Sequence, residues 1–218
     1  MERMKALVQY APYDSRYEEV EKPTAGPGEI VLKVKGCGIC AGDLKAYHGG
    51  IRIWGTCEED RYIEAPVTGG HEFFGEVTQI GEGVDSCEIG DLLAVEQIVP
   101  CGECGFCREG KYWMCEGSAV YGFKQHAAGG FAVYVKVHKN SIIHKIPEAF
   151  TPEQAVLIEP LACGMHAVEL AGIRHSDVVV IAGLGAIGTA MVNMAKLSLP
   201  AMVIGLDVKE HRLMLGKE

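Results

Sequence analysis

Cys101, Cys104, Cys107 and Cys115 fall within fifteen residues as C-x2-C-x2-C-x7-C, with Gly102, Gly105 and Gly110 between them to let the backbone wrap closely. Four thiolates at this spacing suit a tetrahedral metal, and zinc is the expected occupant, with an iron-sulfur cluster or reduced thiols in a loop as the alternatives. Because protein sulfur fills all four positions, such a zinc is expected to be structural. The chain has nine cysteines, an odd number. With no export signal in view, metal ligation is a better use for them than a disulfide framework.

Two further segments carry donor atoms. Cys40 lies in Cys37-Gly38-Ile39-Cys40-Ala41-Gly42-Asp43, and His71 with Glu72 lies in Gly69-Gly70-His71-Glu72-Phe73-Phe74-Gly75. A lone cysteine or histidine is more often packed or solvated than ligating, so each segment alone says little.

A third element is the turn Gly183-Leu184-Gly185-Ala186-Ile187-Gly188, which follows an apolar strand and opens a helix. In that context G-x-G-x-x-G is a pyrophosphate cradle: one glycine for the turn, one for close approach, one for helix-strand packing. A tight turn without nucleotide is the alternative. Asp207 stands 19 residues beyond Gly188, where a carboxylate can accept bonds from both ribose hydroxyls and repel a 2′-phosphate, which favours NAD over NADP.

These residues need elements to hold them. Up to about Lys145 the chain consists of short β-type runs broken by Gly, Pro and Asp, which predicts an antiparallel, β-rich domain. In residues 29–35 the alternation places Ile30, Leu32 and Val34 on one face, and in residues 130–137 it places Phe131, Val133, Val135 and Val137 on one face. Thr151-Pro152-Glu153-Gln154 reads as a helix start, with a short helix to about Ile158 and a second after Pro160 that Gly172 ends. Apolar residues 178–182, a helix over 186–197 and apolar residues 202–206 form one βαβ unit. The expected fold is therefore mixed: a β-rich domain with a zinc lobe over residues 1–160, then over 161–218 the first βαβ unit of a Rossmann α/β domain. A complete domain of that kind has about six strands. Two strands leave one edge and parts of both faces uncovered, and the chain reads as cut off early in its cofactor-binding part.

Composition narrows the function. The chain has 218 residues, 48% hydrophobic and 22% charged, which is enough for a sizeable core. Its net charge is −9 and it has no basic run, which argues against nucleic acid and for small-molecule partners. Residues 1–10 lack a signal-peptide stretch, so cytoplasmic residence is expected. Residues 178–195 carry no charge, but their glycine turn fits a buried strand entering a helix better than a membrane span.

Taken in order, C-G-I-C-x-x-D, G-H-E-F-x-G-x-V, the cysteine lobe, Glu159-Pro160 and the glycine turn resemble the zinc-containing medium-chain alcohol and polyol dehydrogenases, whose first domain is GroES-like. The resemblance implies two zincs per chain, NAD, and a homo-oligomer in the full-length family. It implies a catalytic zinc on Cys40 and His71 with Glu72 or Glu159 as carboxylate ligand, and a position left open for substrate oxygen. There zinc lowers the pKa of the alcohol before hydride leaves for nicotinamide. Asp43 matches the position that orients the ligating histidine; a helix-capping Asp is the other reading. Many relatives have Ser or Thr two residues after the cysteine ligand as a proton relay, and a His three residues further on; here these positions are Gly42 and Lys45. Proton release is then expected through water, helped by Lys45, His48 or Glu72. Glu159, and residues 37–45 with Glu96-Gln97-Ile98-Val99-Pro100, suggest a polyol of four carbons such as erythritol or threitol. An amino-alcohol substrate of the threonine type, a glutathione-adduct substrate, or an inactive zinc-binding scaffold are the competing readings.

Overall fold

The computed structural model describes residues 2–217, and the chain separates into two units, Met1–Val156 and Leu157–Glu218. Unit 1 contains β1 (Arg3–Ala11), β2 (Asp14–Glu21), β3 (Ile30–Gly38), α1 (Ala41–Tyr47), α2 (Ile51–Trp54), β4 (Val67–Thr68), β5 (Glu72–Ile80) and β6 (Leu92–Val95). It continues with β7 (Ile98–Val99), α3 (Gly105–Arg108), β8 (Ala119–Val120), β9 (Tyr134–Val137), β10 (Ile143–Lys145) and α4 (Pro152–Val156). A five-stranded antiparallel sheet in the order β10-β6-β5-β3-β9 forms its centre, beside a three-stranded sheet β2-β1-β4 and the short pair β7-β8.

β3 lies between β5 and β9, and Ile30, Val31 and Leu32 are all buried, so apolar residues on both faces are covered at its start. The strand runs three residues past the expected Lys35, because pairing with β5 continues to Gly38 opposite Glu72. This extension carries the chain to the threshold of Cys40. The core around β3 joins Phe73, Val77, Leu93, Val95, Tyr121 and Val135. Truncating a side chain as enclosed as Leu32 to alanine costs about 2–5 kcal/mol.

The expected strand over residues 130–137 is shorter than predicted. Only Tyr134–Val137 pairs as β9, while Ala132 bridges Ala6 of β1 and Val133 stays 40% exposed. The backbone crosses from one sheet to the other here: Phe131 accepts the N–H of Leu7, and Val133 accepts that of Val34. A period-two pattern cannot reveal this change of partner.

A second core below α1 and α2 contains Ala46, Trp54, Ile63, Val67 and Phe123, and the Trp54 indole donates to the Ala46 carbonyl at 2.7 Å. At 151–154 the predicted capping box is formed: the Gln154 N–H donates to Thr151 Oγ1, and the Thr151 N–H donates to Gln154 Oε1.

Unit 2 contains α5 (Ile158–Ala171), β11 (Val178–Ala182), α6 (Ala186–Leu197), β12 (Met202–Leu206) and α7 (Glu210–Lys217). The sequence placed a helix start after Pro160, but α5 begins at Ile158 with Pro160 in its first turn, where the missing N–H has no helical partner to lose. Gly172 ends α5 in the left-handed conformation, as expected. β11 and β12 pair in parallel. α6 covers one face through Ile181, Val192 and Ala195. On the alternate positions Val178, Val180, Met202 and Leu206 are more than half exposed. Parallel strands normally have cover on both faces. Among the described residues no helix is long and apolar enough to cross a membrane.

Candidate metal centres and nucleotide turn

The four cysteine sulfurs of the lobe lie within 4.8 Å of one another, and all nine cysteines of the chain are free thiols. Cys101 Sγ and Cys107 Sγ are 3.9 Å apart. Four sulfurs at about 2.3 Å from one zinc, tetrahedrally arranged, are about 3.8 Å apart, so the donor set fits zinc in type and spacing. The backbone favours thiolates. The N–H of Cys107 holds Cys104 down to about 6, and the N–H groups of Glu103 and Cys104 lower Cys101. Burial pushes Cys107 up to about 12, and a bound cation would favour its thiolate. The stem of the lobe is tied to the body by Asn140, whose amide donates to the carbonyls of Pro100 and Cys101.

The second donor group is assembled from distant segments. Cys40 caps α1, His71 immediately precedes β5, and Glu72 is its first residue; their ligand atoms also lie within 4.8 Å of one another. Neighbours on a strand point to opposite faces, so His71 and Glu72 reach one site only because the chain is irregular there. Gly70 has φ +89°, and a Cβ on it would come within 2.6 Å of the Phe131 ring and 2.8 Å of Cys37 Sγ. Gly38, opposite Glu72 in the register, leaves room for its side chain: a methyl at 38 would overlap Glu72 Oε2 and press on its Cβ at 3.2 Å.

His71 is 4% exposed, and its Nδ1 lies 3.6 Å from Asp43 Oδ1 with no hydrogen-bond partner. The other carboxylate oxygen, Asp43 Oδ2, accepts the Cys40 N–H at 2.8 Å. Asp43 therefore caps the helix and faces the histidine, uniting the two roles that sequence held apart. Burial opposes a charged His71, but Asp43 and Cys40 outweigh it and push its pKa up to about 10. With Nδ1 turned to Asp43, Nε2 is the nitrogen available to a cation. Sulfur, nitrogen and carboxylate oxygen are all zinc donors, and three protein ligands leave one coordination position. Phe123 walls the site, its ring tilted against that of His71 at 5.7 Å. No ligand pattern pointed to this residue. Asp43 also borders a mainly apolar cavity of about 370 Å³ with Leu7, Leu44, Tyr47 and Phe131.

Other predicted residues lie elsewhere. Lys45 is exposed on α1, and the His48 ring packs edge-on against Tyr13 and Tyr47. Glu159 belongs to unit 2, in the first turn of α5, where the Cys163 thiol donates to its carboxylate at 3.5 Å.

In the glycine turn Gly183 has φ +93°, and a Cβ on Gly188 would collide with the Gly183 carbonyl, so both glycines are dictated by backbone. Gly185 caps α6 and has only Arg212 Nη1 near the Cβ position, at 3.9 Å, which leaves its surface open. Leu184 is buried, whereas Ala186 and Ile187 are exposed at the start of α6. The Asp207 carboxylate accepts the Leu184 N–H at 2.7 Å and the Lys209 N–H at 2.8 Å, and its side chain is 3% exposed. These bonds tie the end of β12 to the turn, a role beyond the ribose contact expected from sequence.

Comparison with known proteins agrees with this architecture. The Alcohol dehydrogenase GroES-like domain matches residues 26–148. The chain is 40% identical over its whole length to erythritol/L-threitol dehydrogenase of Mycolicibacterium smegmatis, covering 61% of that protein. It is 36% identical to L-threonine 3-dehydrogenase of Pyrococcus horikoshii, with 100% of the chain and 60% of the relative covered. A crystal structure of an alcohol dehydrogenase from E. coli complexed with NADH superposes with TM-score 0.86 at 35% identity, over 99% of this chain and 60% of that one. A zinc-binding dehydrogenase from Sinorhizobium meliloti bound to NADP superposes with TM-score 0.88 at 31% identity, over 100% and 60%. The chain thus spans about 60% of the length of these relatives. With the GroES-like match over more than half its residues, the chain belongs to the zinc-containing alcohol and polyol dehydrogenase family.

Proposed function

We propose that the chain carries the metal site and the first nucleotide-binding elements of a zinc-dependent, NAD-linked dehydrogenase that oxidises a secondary alcohol of a small polyol to a ketone in the cytoplasm. The observation that carries this reading is the convergence of Cys40, His71 and Glu72, which follow the end of β3 and open β5 where the two strands meet, into one donor group. In this reading residues 1–160 are the catalytic domain and 161–218 begin the dinucleotide-binding domain.

Cys40, His71 and Glu72 would hold the catalytic zinc, with Glu159 as the alternative carboxylate, and Cys101, Cys104, Cys107 and Cys115 the structural one. When bound, the catalytic zinc supplies Lewis acidity that makes an alcohol proton easier to lose. Asp43 faces the His71 ring from the Nδ1 side and would orient it by charge. Position 42 is glycine, so no side-chain hydroxyl there can pass the proton on, and release runs through water; where Glu159 supplies the carboxylate ligand, Glu72 is left as the base nearest to that water. Gly183–Gly188 would cradle the pyrophosphate at the start of α6. Asp207, at the end of β12 beside this turn, would place a negative charge against a 2′-phosphate, which supports NAD. When bound, NAD would supply the acceptor for the hydride that the secondary alcohol gives up along with one proton. A four-carbon polyol is favoured as substrate by the 40% identity to an erythritol/L-threitol dehydrogenase, and a homo-oligomer is the assembly that the family resemblance implies for a full-length member.

The test is to count zinc in protein purified with zinc present, then follow NADH absorbance with erythritol, threitol, sorbitol and threonine. Two zincs per chain and NADH formation with the polyols are expected. Zinc without turnover would favour a metal-binding scaffold, and no zinc would overturn both centres.

A further inference from the structure

Gly42 stands apart from the other glycines at the site. Gly38 and Gly70 are dictated by crowding, whereas a methyl on Gly42 would make ordinary contacts: 3.5 Å to His71 Cε1, 3.7 Å to Cys40 Sγ and 3.9 Å to Phe123 Cζ. Its φ is not positive, so its backbone conformation is open to any residue. It lies inside α1, where glycine costs about 0.5–1 kcal/mol relative to alanine. Neither conformation nor packing requires glycine here, and helix stability argues against it.

What the missing side chain does is leave a methyl-sized space bounded by two metal-donor residues and an aromatic wall. Gly42 and Cys40 are half-buried, so the space is reachable from outside. The three atoms nearest to it are a sulfur, a ring C–H edge and an aromatic carbon, none of them a strong hydrogen-bonding group. Such a boundary receives a carbon substituent better than a hydroxyl.

We propose that Gly42 is a specificity-determining residue: the space it leaves admits the carbon substituent that distinguishes a secondary from a primary alcohol at the metal. The inference rests on the alcohol-binding reading above and deepens it.

The experiment loads the chain with cobalt(II) in place of zinc and follows its visible absorption while 2-butanol, 1-butanol or erythritol is added, for wild type and Gly42→Ala. A methylene-sized change in a pocket alters discrimination by about tenfold or more. Wild type is expected to bind 2-butanol and erythritol at least as tightly as 1-butanol. Gly42→Ala is expected to weaken both secondary alcohols about tenfold relative to 1-butanol. Its melting temperature should be equal or higher, which separates a filled space from a damaged fold. An unchanged ratio of secondary to primary affinity, or an equal loss for both, overturns the inference while the alcohol-binding reading stands. A wild-type spectrum that responds to no alcohol overturns that reading and this one with it.

Discussion

The two donor groups of unit 1 are built in opposite ways. The lobe takes four like atoms from fifteen consecutive residues, and its backbone N–H groups already stabilise thiolate at Cys101 and Cys104. The other takes three unlike atoms from residues 40, 71 and 72, and depends on Gly38 to seat one carboxylate and on Asp43 to face one imidazole. Local sequence can close a metal site, whereas leaving one position open takes tertiary structure, because the missing ligand must be replaced by shaped space.

This contrast predicts independence. The largest effect is expected from Cys107→Ser: losing one of four thiolates removes roughly a quarter of about 12 kcal/mol, about 3 kcal/mol. That is on the order of a hundredfold in zinc affinity at the lobe. A chelator-competition titration should show this with the Cys40 site unchanged; if both sites weaken together, the contrast fails. Gly38→Ala should do the reverse, lowering affinity at the Cys40 site by about 10–100-fold as Glu72 is displaced, while the lobe keeps its metal. Combining it with Glu72→Ala removes the overlap with the carboxylate and leaves only the 3.2 Å contact with Cβ, so an equally damaged fold in the double variant would point to a backbone role for Gly38.

Asp43→Asn comes next. Asparagine still accepts the Cys40 N–H, so the helix cap survives, but the charge facing His71 is gone; about a tenfold loss of affinity at that site is expected, with no change at the lobe. The smallest effect extends the comparison to unit 2. The N–H groups of Leu184 and Lys209 hold the Asp207 carboxyl below the ordinary range. A depressed pKa contributes stability that is complete above the unfolded value of about 3.9 and is lost as pH falls through the folded one. Urea midpoints at pH 5.5 and pH 3 should therefore fall further for wild type than for Asp207→Asn. Equal slopes would mean that the turn does not depend on this carboxylate.

Legibility in the sequence followed the same division. The cysteine lobe and the glycine turn are contiguous, and spacing alone carried their chemistry. The capping box at Thr151 and the helix stop at Gly172 were readable for the same reason. Cys40 and His71 became a pair only through resemblance to a family, and the pairing of Gly38 with Glu72 is a matter of register that no local pattern encodes. Phe123 was invisible because it offers no donor atom. The failures were also tertiary: Val133 alternates correctly but sits where the chain changes sheets, and Pro160 reads as a helix start but lies within the first turn of a helix begun two residues earlier. Spacing assigns Asp207 a ligand role alone, since its two backbone bonds need the folded turn.

The chain has two tryptophans, and they divide between the two donor groups. Trp113 lies in the turn between Cys107 and Cys115 and is 42% exposed. Trp54 is 9% exposed, with its indole bonded to Ala46 of the helix that carries Asp43. Intrinsic fluorescence therefore contains two spectrally separable reporters. The red-edge emission, open to iodide quenching, follows the lobe, and the blue, shielded emission follows the helix beneath the Cys40 site. Metal loading of each centre can be watched in one cuvette without a label.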